Sequence, residues 1–483
     1  MGRLTGVLRS RGVALFAIDL RSLALFRIAL ATLLLVDLAS RARLLAENYS
    51  DAGAYPRATV VLDYPIGPLP SLHMLGGSVP YELGLFVVAG LAAALLALGY
   101  LTRAATAASW FLLYSLHARH PLLLDGGDDL LRALLLWCVF LPLGARWSLD
   151  ARRAGPPVHT AVCSPASAAL LLQVACMFFM TGLLKTGPEW ADGTAISYAL
   201  NRKWWILPFG AWLLAHPPLP QWTTPAVRAF EVLAPLVLFL PVITAWLRLC
   251  AIPAFWGFLA GLGFGMQLNL FPWISGAGML PFLPTLAWDA LGRRFAFARR
   301  AVPTAAPAAG ALRRVAALAE QAVVLALLAL VLWVNAGSAN GSLGPPPAVH
   351  RLAEQLMMAQ SWIMYAPSPR HVDAWFEHRG KLRNGFDVDL DRATGGAGWA
   401  SVKRAWTDYR FKYYLQKLTS LRWREPLVAY GQWLCRQWNL DKHGGARLDT
   451  VKLSAVITPI AIGGAAPEPP QLWELHGAPC PRE

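Results

Sequence analysis

Apolar runs of about 20 residues recur from residue 23 to residue 334, each bounded by Arg, Gly, Pro or Trp. About 20 apolar residues make one helical crossing of a bilayer. In lipid a backbone polar group must find its partner within its own segment, so such runs fold as helices. The runs occupy residues 23–39, 81–100, 104–116, 129–144, 165–184, 227–247, 250–270, 272–291 and 314–334. Residues 202–215, with Trp204, Trp205 and Trp212, read as interfacial rather than spanning. Only 15% of the chain is charged, against roughly a quarter in a soluble globule. The expected class is an all-α polytopic membrane bundle of about nine spans, occupying residues 1–334, with a C-terminal extracytoplasmic α+β domain over residues 335–483.

The net charge of +15 is read by location. With the N-terminus cytoplasmic, the inner loops hold Arg103, Arg146, Arg152, Arg153, Arg248 and the arginines from Arg293 to Arg314. The outer loops hold fewer cations: Arg41, Arg43, Arg57, Arg119, Lys185, Arg202 and Lys203. That bias is the positive-inside pattern. The basic partner is therefore the lipid bilayer, not nucleic acid. The basic start (Arg3, Arg9, Arg11) runs into apolar sequence without a small-residue cleavage site, so the first span is expected to stay. An odd number of spans puts the tail outside a cell (inner) membrane. The loops around Asp51, Asp125 and Lys185 share that face.

The tail differs in composition. Residues 335–347 are rich in Gly, Ser, Asn and Pro and read as a linker. Residues 378–391 alternate around Asn384-Gly385, a hairpin signal. Residues 408–419 and 425–439 read as amphipathic helices, and 451–462 as a strand. No Cys-x-x-Cys occurs among the six cysteines, which gives no metal spacing. Cys435 and Cys480 can pair if the tail sits in an oxidising compartment.

Four constellations can carry chemistry. Lys185 closes an apolar run, and Gly187, Pro188, Glu189, Trp190 and Asp192 follow. A lysine becomes a base only when desolvation lowers its pKa; the plainer role is snorkelling to headgroups, with Trp190 as an anchor. His117 and His120, three apart, precede Asp125, Asp128 and Asp129. These aspartates are read as helix caps and dipole partners, and no metal is assigned. Gln267 and Asn269 end the seventh run, where buried amides either bind a substrate oxygen or glue helices together. Gln360, Trp362, Met364, Tyr365, Pro367 and Pro369 form an aromatic, Pro-rich segment that caps or packs. Arg27, inside the first run, is expected to face the bundle and meet a carboxylate.

Phe26-Arg27-Ile28 with Asp37, then Tyr49-Ser50-Asp51-Ala52-Gly53, resembles the opening of the HTTM (horizontally transferred transmembrane) family, related to vitamin K-dependent gamma-carboxylase. The runs from Pro121 to Asp128, from Trp190 to Ala195 and from Gln360 to Pro369 fit the same family. In that carboxylase a lysine in a Gly-x-x-Lys-x-x-x-x-Trp setting deprotonates a reduced quinone. Dioxygen turns the cofactor into a strong base, a glutamate γ-carbon loses its proton, and carbon dioxide is added. Gly182, Lys185 and Trp190 match that setting, so the resemblance implies Lys185 as the base. It implies His120 as a second catalytic residue, and Gln267 and Asn269 as the counterpart of a polar amide run. Trp190, Asp192, Asp125 and Asp128 complete the expected binding set.

The implied cofactor is a reduced vitamin K-like quinone (hydroquinone), with dioxygen and carbon dioxide as co-substrates. The implied partners are a lipidic quinone and an exported peptide or protein substrate. The tail is shorter than the carboxylase's lumenal region. That departure keeps a second expectation open: a non-enzymatic maturation factor or chaperone for exported proteins.

Overall fold

The computed structural model describes residues 12–13, 15–63, 71–155, 159–295, 297, 311–420, 424–463, 466 and 468–481. Arg3, Arg9, Arg11, Arg299 and Arg300 lie outside the described residues. The bundle is built from α1 (Leu20–Ala42), α2 (Val79–Leu98), α3 (Thr102–Arg119), α4 (Gly126–Cys138), α5 (Pro165–Leu183), α6 (Leu219–Val237), α7 (Thr244–Gly265), α8 (Phe271–Gly278) and α9 (Ala311–Ala339). Five of these, α1, α2, α5, α7 and α9, are long and apolar enough to cross a bilayer, which makes the chain a multi-pass membrane protein.

The remaining apolar runs form shorter or interrupted helices. α3 has 18 residues and α4 has 13. α6 carries Pro225 and Pro235 and ends at Val237, and helix resumes only at Thr244. The eighth run is divided between α8 and a second short helix, Thr285–Gly292. Pro281 and Pro284 fall between them, where a missing N–H and a ring clash prevent a continuous helix.

The core is apolar in the ordinary way. Phe26 and Leu30 of α1, Leu134 of α4, and Leu170 and Met177 of α5 are fully buried. Leu312, Val315 and Leu318 of α9 are exposed, as suits a face solvated by lipid tails. Arg27 does not meet the expected carboxylate. Its guanidinium donates to the main-chain carbonyls of Leu143 (3.1 Å), Arg146 (3.2 Å) and Trp147 (2.6 Å). A planar fork with five donors satisfies carbonyls that no helix turn can reach.

Residues 335–347 are not an open linker. α9 continues to Ala339, and α10 (Pro347–Gln355) follows a single turn. Beyond it stands an antiparallel sheet of β1 (Val372–Leu382), β2 (Asp387–Asp389), β3 (Leu448–Pro459) and β4 (Gln471–Pro479), in the order β2-β1-β3-β4. The hairpin turns at Asn384-Gly385 as expected, with Gly385 at φ +91°, a conformation that costs glycine little.

α11 (Ala397–Thr407), α12 (Tyr409–Leu418) and α13 (Arg424–Asn439) pack on the sheet through Phe411, Tyr414, Tyr430 and Trp433. The sequence reading anticipates α12, α13 and β3, but not α10, α11 or β4. A disulfide joins Cys435 of α13 to Cys480, just after β4.

The tail is stitched to one end of the bundle. Gln360 and Gln173 of α5 exchange amide hydrogen bonds (2.8 and 3.0 Å). Gly187 donates its N–H to the Pro367 carbonyl (2.9 Å). Arg436 donates to Gly53 O, and Lys417 to Leu124 O. The loops near residues 50, 125 and 187 therefore converge beneath the tail.

Candidate functional site

Lys185 lies two residues beyond α5 and is 2% exposed, so it does not snorkel. Its Nζ donates to Glu231 Oε2 on α6 (2.5 Å) and to Thr181 O (3.3 Å). An ammonium has three donors; the remaining side of this one faces the Trp190 ring, with Nζ 5.0 Å from the centroid. Gly182 makes the pairing possible. A Cβ there would lie 2.8 Å from Glu231 Cβ and 3.0 Å from Val232 N, so any larger residue would push α6 away. Burial lowers the Lys185 pKa from the ordinary lysine range, and Glu231 restores only part of it. The amine is therefore easier to deprotonate than one in water.

Trp190 connects this amine to the tail segment. Its Nε1 donates to Tyr365 O (3.1 Å), and the Tyr365 hydroxyl lies 3.6 Å from Met266 Sδ. Next to Tyr365 stand two arginines. Arg202 is nine-tenths buried, and its Nε and Nη2 are buried without a hydrogen-bond partner. Its nearest carboxylate, Asp373, is 3.9 Å away, and main-chain N–H groups of Lys203 and Ala374 already donate to it. Arg370 has no carboxylate within ion-pair distance among the described residues. Desolvation, then repulsion from Arg202, lowers its pKa from the ordinary arginine range. The Arg202 guanidinium lies 5.6 Å from the Trp205 ring. Trp205 in turn meets Tyr409 (5.3 Å) and Tyr413 (6.4 Å) edge-on. This cluster carries two cations and is short of anions.

A second cluster is charge-balanced. Arg41 of α1 donates to Asp37 Oδ2 (2.7 Å) and Asp128 Oδ1 (2.5 Å). Arg410 of α12 donates to Asp37 Oδ1 (2.5 Å) and Asp128 Oδ2 (2.6 Å). Burial works against ionising Asp128, but Arg410 and Arg41 outweigh it and hold the carboxyl well below the ordinary range. Asp37, His117 and Asp128 approach one another as metal ligands do. Two guanidinium groups occupy the carboxylate oxygens a cation would need.

His117 and His120 do not share a face. His117 Nδ1 accepts from Arg132 Nη1 (2.7 Å) inside the charged cluster. His120 ends α3 and sits among the rings of Tyr55 (4.5 Å), Tyr414 (5.2 Å) and Tyr49 (6.3 Å). Both of its ring nitrogens are buried without a partner, and burial followed by the Arg119 charge holds it neutral.

Asp125 and Asp128 form a capping box at the start of α4, the structural role the sequence suggests. Asp125 Oδ2 is nonetheless buried and unpartnered. Burial, with Asp128 beside it, pushes that carboxyl up to about 6.

Gln267 and Asn269 lie near the cluster through the backbone. Gln267 donates its N–H to Trp205 O (2.7 Å), and Asn269 adopts a positive φ of 50°. Their side chains are half-buried. Asp192 is exposed and accepts from Thr194 N and Oγ1, closing a turn. Glu189, three residues before it, is buried and accepts from His371 (2.6 Å). The two carboxylates therefore share no site.

An apolar groove of about 510 Å³ runs along α1, α7 and α8, lined by Ala29, Leu33, Trp256, Gly263, Pro272 and Trp273. The Lys185–Trp190–Arg202 constellation brings together some expected residues and adds others. Glu231 is absent from the expected set, although it is the lone carboxylate of the sixth apolar run, a signal in itself. The sequence reading counts Arg202 as an outer-loop charge and singles out neither Arg370 nor Arg410, although Arg410 falls in the amphipathic stretch 408–419.

No curated protein and no solved structure matches the chain. The HTTM domain is a membrane domain family associated with carboxylase-like proteins. Its model matches residues 16–288, more than half of the chain. That span includes Lys185, Glu231 and Arg202 and stops short of Arg370 and Arg410. The chain belongs to the HTTM domain family.

Proposed function

We propose that the protein is a membrane enzyme of proton abstraction, similar in chemistry to vitamin K-dependent gamma-carboxylase and acting on a carboxylate-bearing peptide. One observation carries this reading. A buried lysine–glutamate pair is linked through Trp190 and then Tyr365 to Arg202, whose buried Nε and Nη2 lack partners, and to Arg370.

The residues present fit a lipidic hydroquinone. Lys185 offers a desolvated amine beside an aromatic face, and the apolar groove along α1, α7 and α8, which Lys185 does not line, would take an isoprenoid chain. When bound, such a cofactor supplies, with dioxygen, a base stronger than any side chain, and carbon dioxide is then the co-substrate. The chain's own residues do the rest. Lys185 Nζ, with its proton lodged on Glu231 Oε2, takes a proton from a weakly acidic hydroxyl. Buried Arg202, with Arg370 at the exposed edge beside it, holds the substrate carboxylate where charge-assisted bonds are strong. Gln267 and Asn269, whose backbone adjoins Trp205, orient polar groups around it.

In this reading the chain crosses the inner membrane about nine times, with its N-terminus cytoplasmic and residues 335–483 as an extracytoplasmic domain. The Cys435–Cys480 disulfide and the loop charges support that orientation.

A second reading, a non-enzymatic maturation factor, has its own observation. Trp204, Trp212 and Trp222 are exposed, as in a docking surface.

The test is Lys185→Ala with Glu231→Gln, assayed for product after incubation with reduced quinone and an acidic peptide. Mass spectrometry of the purified protein then identifies co-purifying lipid. Lys185→Ala is expected to lose about 10²–10⁴-fold in turnover while remaining folded. Full turnover in that variant removes the base assignment and leaves the second reading.

A further inference from the structure

An aromatic pocket of about 100 Å³ lies between the interfacial loop and the tail, lined in part by Trp205, the ring on which Arg202 also rests. Trp204, Trp205, Trp375, Phe376 and Trp406 supply most of its wall, and Gln416 and Thr419 supply polar edges. Its volume is on the order of one six-membered ring.

Three lysines stand over the tryptophan rings around it. Lys412 Nζ is 5.2 Å from Trp204, Lys203 Nζ 5.9 Å from Trp375, and Lys403 Nζ 4.9 Å from Trp406. The rim is cationic and the interior aromatic. Asp391 is the one carboxylate in the lining, and it is engaged by His378 Nδ1 (2.7 Å).

The pocket also borders an unpaired strand edge. β2 covers β1 only from Arg379 to Lys381. His378 sends its N–H to Asp391 Oδ2 and accepts from Leu390 N, both on the side away from β3. By the two-residue period of a strand, Phe376 presents its N–H and C=O to the same side. No strand occupies that side of Phe376 among the described residues.

We propose that this pocket is a specificity site for an acidic peptide, seating one aromatic side chain while a nearby carboxylate reaches Arg202. Trp205 is the shared wall, so the two peptide side chains are roughly two or three residues apart at the rise of an extended chain. The Phe376 edge provides main-chain hydrogen bonds for the residue that enters. The lysine rim selects acidic flanks and repels basic ones. This proposal rests on the carboxylate-binding role given above to Arg202 and Arg370.

The test uses the full chain in detergent and short fluorescein-labelled acidic peptides. One carries Glu and a neighbouring Phe; the others replace Phe by Ala or Glu by Gln. The Phe peptide is expected to bind about tenfold tighter than the Ala peptide. Ala374→Leu, which fills the pocket without touching Arg202, is expected to erase that difference and leave the Ala peptide unchanged.

Equal binding of the Phe and Ala peptides overturns the pocket, while a retained preference for Glu over Gln leaves the enzyme reading standing. Loss of the Glu preference with the Phe preference intact, and sensitive to Ala374→Leu, does the reverse. If phosphatidylglycerol vesicles displace the Phe peptide and Ala374→Leu has no effect, the pocket is a headgroup anchor and the proposal falls.

Discussion

Two arginine clusters lie at the junction of bundle and tail, and they are built on opposite rules; the first is buried throughout, whereas in the second Arg202 is buried and Arg370 is exposed. Around Arg41 and Arg410, two guanidinium groups face two carboxylates, Asp37 and Asp128, and every carboxylate oxygen has a donor. Around Arg202 and Arg370, the one carboxylate within ion-pair distance among the described residues is Asp373, at 3.9 Å from Arg202. A buried charge costs several kcal/mol unless paired. The first cluster recovers that cost within the folded chain. The second leaves it partly uncompensated, which an arriving anion can relieve. Balance marks a joint between parts, and deficit marks a place for something that comes and goes.

The comparison is broken most forcefully at Arg410. Arg410→Met leaves Asp37 and Asp128 each short of a partner and is expected to destabilise by about 3–5 kcal/mol. Thermal unfolding in detergent checks this. An unchanged midpoint would mean that the balanced cluster does not join the tail to the bundle.

Acid acts on the same joint. The Asp128 carboxyl is held below its ordinary pKa, so it contributes stability above the unfolded value, near 3.9. That contribution is lost as pH falls further, when the carboxyl must be protonated. Protease sensitivity of the tail should rise below about pH 4, and more so in wild type than in Arg410→Met.

Arg202→Met is the counterpart in the deficient cluster. Its expected effect on stability is within about 1 kcal/mol, because a lone buried charge is replaced by an apolar chain. Its effect falls on acidic-peptide affinity, read by the labelled peptides. The smallest change is expected at Asp192, which is exposed: Asp192→Ala should shift stability by no more than about 0.5 kcal/mol and leave turnover unaltered.

Much of this was legible in the chain itself. Lys185 stands out because it closes an apolar run, and its burial follows from the Gly182 contact with α6. The hairpin at Gly385 and the amphipathic α12 and α13 follow from local pattern alone. Glu231 was overlooked in a run read only for hydropathy, where a lone carboxylate is the informative residue.

Arg410 lies 282 residues from Asp128 and 373 from Asp37, and no local spacing points across such distances. Arg27 was assigned the wrong kind of partner. Carbonyl groups at helix ends leave no mark in the residue string, yet they accept hydrogen bonds as well as a carboxylate does.

The segment from Gln360 to Ser368 has a practical corollary. It lends an amide to α5, a carbonyl to Trp190 and another to Gly187, so it serves as the floor of one part and the ceiling of the other. A chimaera that grafts a foreign anchor at residue 334 would therefore inherit a roof without its house. The seam for recombining this protein with others belongs upstream of α1 or downstream of Cys480, not between the helical bundle and the tail.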